Sequence, residues 1–77
     1  MVEIEVDGRT ARITDGVWKS RDKFLLDACE MYMIIHPWRP VPSNPDPDYD
    51  VAQFVVEKMK GKIVKATHVE SLPNMIF

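Results

Sequence analysis

Asp46, Asp48 and Asp50, followed by Glu57, stand at the first, third, fifth and twelfth places of a calcium-loop pattern. Oxygen ligands at that spacing wrap a single hard cation. The sixth place, however, is Val51 where the sharp turn needs glycine, and the second is Pro47. Carboxylates at this point also have a commoner task, accepting hydrogen bonds from the free N–H groups of a helix start, and the segment is read that way. Cys29, His36 and His68 are the only soft or borderline metal ligands. No CxxC or HxxxH spacing organises them, and a zinc ion would need a further carboxylate. No metal and no cofactor is therefore expected.

For nucleophilic chemistry, Cys29 falls on an apolar helical stripe, where burial keeps a thiol protonated and unreactive. His36 lies about two turns further along the same helix, out of reach of the thiol. There is no Gly-rich phosphate loop and no G-x-S-x-G elbow. No catalytic residue is expected, and the chain is read as non-enzymatic.

Binding chemistry is better represented. Arg39-Pro40-Val41-Pro42-Ser43-Asn44-Pro45 has the R-x-x-P-x-x-P spacing of polyproline ligands, and equally the composition of a stiff connector. Trp38 is either a lid over the core or an exposed anchor. Lys19, Arg21 and Lys23 cluster at a helix start, where basic side chains and free backbone N–H groups hold an anion; the alternative is a solvated face.

These residues must be positioned by a small scaffold. The chain has 77 residues, one cysteine and 45% hydrophobic residues, so it is one domain held by an apolar core without a disulfide. Its formal charge of −2 disfavours binding to nucleic-acid phosphates. Met1 to Glu5 lacks the basic and apolar regions of a secretory signal, and no apolar run is long enough to span a bilayer. With a lone thiol, this points to the cytoplasm.

Residues 2–14 read as a β-hairpin: Val-Glu-Ile-Glu-Val alternates, Asp7-Gly8 supplies a two-residue turn, and Arg9 to Thr14 return. That register sets Val2 against Ile13, Ile4 against Ala11 and Glu3 against Arg12, leaving one face apolar and the other wet. Asp15-Gly16 marks a second turn, after which Val17-Trp18 caps an edge of the core. A helix over 21–36, with Ser20 as N-cap, carries Leu25, Ala28, Cys29, Tyr32 and either Ile35 or His36 inward and Lys23, Asp27 and Glu30 outward. From Met31 to Ile35 it is apolar almost all round, so another helix, the following loop or another molecule must cover it.

The proline-rich connector 37–47 leads to a helix over 48–60, capped by Asp46 with Pro47 in its first position, or by Asp50 with Gln53. Its inward stripe is Ala52, Val55, Val56 and Met59. Residues 62–70 form a third strand whose inward face is either Ile63, Lys65, Thr67 and Val69 or Val64, Ala66 and His68. The tail 71–77 is apolar enough to dock.

The expected architecture is α+β of order ββααβ: a three-stranded sheet with an N-terminal hairpin, covered on one face by two antiparallel helices, the last strand parallel to the first and lying either beside it or antiparallel beside the second. The expected function is a protein–protein interaction module, self-associating or a small subunit of an assembly. Its contact residues are Met33, Ile34, Trp38, Arg39, Met75, Ile76 and Phe77. The alternative is a small-molecule or anion-binding protein using Lys19, Arg21 and Lys23.

Overall fold

The computed structural model describes residues 1–43 and 45–67. The order is β1 (Val2–Val6), β2 (Arg9–Thr14), β3 (Val17–Ser20), α1 (Lys23–Ile35), α2 (Pro47–Met59) and β4 (Lys62–Ala66). The class is α+β, but the sheet has four strands rather than three, in the order β3-β2-β1-β4. The additional strand follows from turn chemistry. Asp7-Gly8 and Asp15-Gly16 are the same turn made twice, with φ of 52° and 78° in the first and 49° and 80° in the second. Both central residues thus adopt the left-handed values that match the twist of a tight hairpin.

That strand also corrects the direction of the last one. With three strands before the two helices instead of two, the chain arrives at β4 reversed, and β4 runs antiparallel beside β1. The first hairpin has the register its alternation requires, Val2 opposite Ile13, Glu3 opposite Arg12 and Ile4 opposite Ala11. In β4 neither strict alternation holds, because a bulge falls at Val64. Ile63 opposes Ile4 and Ala66 opposes Val2, so the partners of inward-facing residues fall three apart, Ile63 half-buried and Ala66 exposed, while Lys62 and Lys65 oppose Glu5 and Glu3 on the wet face. Gly61 permits the close start of this strand. A Cβ there would lie 2.5 Å from the Glu5 carbonyl oxygen.

The inward face of the sheet, Val2, Ile4, Val6, Ala11, Ile13 and Trp18, packs against Leu25 and Cys29 of α1 and Val51, Ala52, Val55 and Val56 of α2. Helix α1 starts two residues later than its expected bound, because Ser20 is spent as the end of β3. Its hydroxyl donates to the Thr10 carbonyl at 2.6 Å and accepts from Asp22 N–H at 3.0 Å. Asp22 is the N-cap in its place, accepting from Leu25 N–H at 2.8 Å. The helix stops at His36, which precedes Pro37 and is forced out of helical geometry. Helix α2 uses the first of its two expected starts, Asp46 as cap and Pro47 in the first turn, and closes on Lys60 at φ 58°.

Candidate functional site

The three aspartates of the calcium-like pattern point to three different tasks. Asp46 caps α2, and Asp50 lies 2.7 Å from His36 Nε2. Asp48 turns inward and is buried. Its Oδ1 accepts from Gly16 N–H at 3.0 Å and from Trp38 Nε1 at 2.8 Å, and its Oδ2 accepts from Asp15 N–H at 3.0 Å. One carboxylate therefore ties the β2–β3 turn, the connector and the start of α2 together, with the Trp38 indole laid against Gly16. Among the described residues no group of three or more His, Cys, Asp or Glu is placed to hold a metal ion.

Cys29 is buried in the core between α1 and the sheet, and burial pushes its thiol up to about 12, with the Glu30 charge adding to the effect. Such a thiol stays protonated at neutral pH and is a poor nucleophile. His36 stacks on Phe54 at 4.6 Å and 12°, while Tyr32 meets the same ring edge-on at 6.1 Å. Lys58 Nζ lies 5.3 Å from its centroid. This cluster clamps the end of α1 to α2 and accounts for part of the apolar run at that end. His68 lies outside the described residues.

The basic trio separates. Lys19 opposes Arg12 on the wet face of the sheet. With Arg21, Glu3, Thr10 and Ser20 these line an open hollow of about 360 Å³, which Lys23 does not reach. In the connector, Val41 N–H bonds the Arg39 carbonyl at 3.0 Å, a tight turn that a continuous polyproline helix does not contain.

Of the expected contact residues, Met33 and Trp38 are half-buried against the core, Arg39 and Ile34 are exposed, and Met75, Ile76 and Phe77 lie outside the described residues. The larger feature is one that the polar spacing of α1 hides. Phe24, Met31, Ile34 and Ile35 are 81%, 63%, 79% and 66% exposed, so of the two residues expected to continue the inward stripe Ile35 does not, and half-buried His36 does. At about 100° per residue, Phe24, Ala28, Met31 and Ile35 lie along one line of the helix, roughly a third of a turn from the buried Leu25–Cys29 stripe. Ile34 lies on the other side of that line, directly away from the core. Helix α1 thus carries a second apolar stripe, legible in the sequence as a four, three, four spacing that begins at Phe24.

No helix among the described residues is long and apolar enough to cross a membrane. No family model, no curated protein and no solved structure matches the chain.

Proposed function

We propose that the chain is a non-enzymatic protein–protein interaction module whose contact surface is the outward stripe of α1. The observation that carries this reading is the exposure of Phe24, Met31 and Ile35 along one line of a 13-residue helix, with exposed Ile34 beside that line, while the stripe a third of a turn away is already committed to the core. Scattered single apolar residues on a surface need no explanation, but a contiguous row of large ones marks a contact site.

The sheet edges are poorer candidates. Edge strand β4 carries Lys62, Lys65 and the bulge at Val64, and edge strand β3 has only four residues, one of them Lys19. Lysines, bulges and shortness all discourage strand addition. A binding role is further supported by the sealed Cys29 thiol and by the use of His36 in the clamp on Phe54. A lone reduced thiol suits a cytoplasmic setting.

Oxidation of methionines by peroxide at high dilution tests the reading. Met31 is expected to form its sulfoxide several-fold faster than Met33 and Met59, which are half-buried. A Met31 as slow as those two in the lone chain would mean that the face is covered internally, and would end the proposal.

A further inference from the structure

We infer that the occupant of this face is a second copy of the chain, with the two α1 helices crossing antiparallel about a two-fold axis; the inference rests on the interaction reading above. Phe24, Ala28, Met31 and Ile35 follow one another at four, three and four residues, the alternation of a helix-pairing seam. That series is the same read in either direction. An axis between Cys29 and Glu30 therefore sets Phe24 against the partner's Ile35 and Ala28 against the partner's Met31, twice over.

Size complementarity favours this arrangement over a parallel one. The small Ala28 side chain leaves room for unbranched, adaptable Met31, and the ring of Phe24 meets an aliphatic branch. Parallel pairing would place Ala28 on Ala28, a gap in mid-seam, directly beside two crowded methionines. A two-fold contact also closes on itself, so it gives a dimer rather than a fibre.

The area is in the range such a contact needs. Phe24, Met31 and Ile35 at their observed exposures present on the order of 400 Å² per chain, and Ile34 at the rim of the seam brings the pair to at most about 1,000 Å². That is the lower bound for a specific interface, so the dimer is expected to be reversible and micromolar.

Sedimentation equilibrium of the full chain tests the inference with Phe24→Glu, Ile35→Lys and the double variant. Both positions are exposed, so circular dichroism is expected to show the wild-type fold. Each single substitution is expected to weaken the dimer about tenfold or more. In the antiparallel register the double variant places the new carboxylate opposite the partner's new ammonium at both ends, and association recovers. A double variant weaker than either single one would mean like charges face each other, and would overturn the antiparallel register.

Met31→Ser, which adds no charge, is expected to weaken the dimer as well; an unchanged dimer would overturn the seam. A wild-type chain that stays monomeric at millimolar concentration would overturn the second copy as occupant. The interaction reading would survive that result if Met31 oxidises rapidly at dilution. A dimer indifferent to all three substitutions would place the contact elsewhere and overturn both.

Discussion

Replacing Asp48 probes the joint on which the scaffold depends. Its carboxylate takes three hydrogen bonds, from Asp15 and Gly16 N–H and from the Trp38 indole. In Asp48→Asn the least costly amide orientation keeps the oxygen at the Oδ1 position, preserving the Gly16 and Trp38 bonds and turning the NH2 group against Asp15 N–H. One charge-assisted bond and the 3.8 Å ion pair of Oδ2 with the Met1 ammonium are lost and two donors are opposed, a cost of about 1.5–3 kcal/mol. Asp48→Ala strips all three donors of their acceptor. Asp15 is exposed and can turn to water, so the expected cost is about 3–5 kcal/mol rather than the full sum. A chain of 77 residues has a total stability of about 4–11 kcal/mol, so the alanine variant stands near or beyond the edge of folding.

Urea unfolding followed by far-ultraviolet circular dichroism measures both. Trp38→Phe alone is expected to cost about 1–2 kcal/mol and to add little in the Asp48→Ala background, a coupling of about 1 kcal/mol. An asparagine variant within about 0.5 kcal/mol of wild type would refute the view that this carboxylate holds the three segments together.

Two further substitutions follow from the packing. Native Cys29 keeps its proton to about 12, whereas in the unfolded chain it ionises near the ordinary 9.0. The folded form thus holds more protons over that range, and its stability falls as pH rises, by about 1.4 kcal/mol between pH 8 and 10. Denaturation of wild type and Cys29→Ala at the two pH values isolates this term, and equal losses in both proteins would contradict it. Gly61→Ala would drive a Cβ to 2.5 Å from the Glu5 carbonyl oxygen and the Val6 Cγ2 atom. Because backbone cannot yield as a side-chain tip does, it is expected to cost about 2–3 kcal/mol by urea midpoint, and an unchanged midpoint would contradict the close β1–β4 approach.

The first hairpin is legible because period-2 alternation and an Asp-Gly turn agree on one register. The same turn recurs at Asp15-Gly16, but Val17-Trp18-Lys19-Ser20 is too short to show a period, and missing it inverts the direction of the last strand. In β4 the bulge at Val64 breaks the alternation, so each of the two expected faces is right for only part of its length. Asp48 was visible in principle: it heads the inward series continued by Val51, Ala52 and Val55, a carboxylate placed where an apolar residue belongs. The C-terminal half of the outward stripe of α1 is legible, since Met31 to Ile35 reads as apolar all round, but Lys23, Asp27 and Glu30 mark the preceding turns as wet, so Phe24 is not joined to it. Helical angles place Phe24, Met31 and Ile35 between those charges and the buried stripe.

The central claim is that the outward stripe of α1 is bare in the lone chain and covered on association. Following the peroxide oxidation of Met31 across protein concentration tests it most directly, with Met59 on α2 as the internal control. The rate at Met31 is predicted to be fast at dilution and to fall several-fold as concentration rises into the dimer range, with Met59 unchanged. A Met31 rate that is slow at every concentration, or fast at every concentration, would contradict the account.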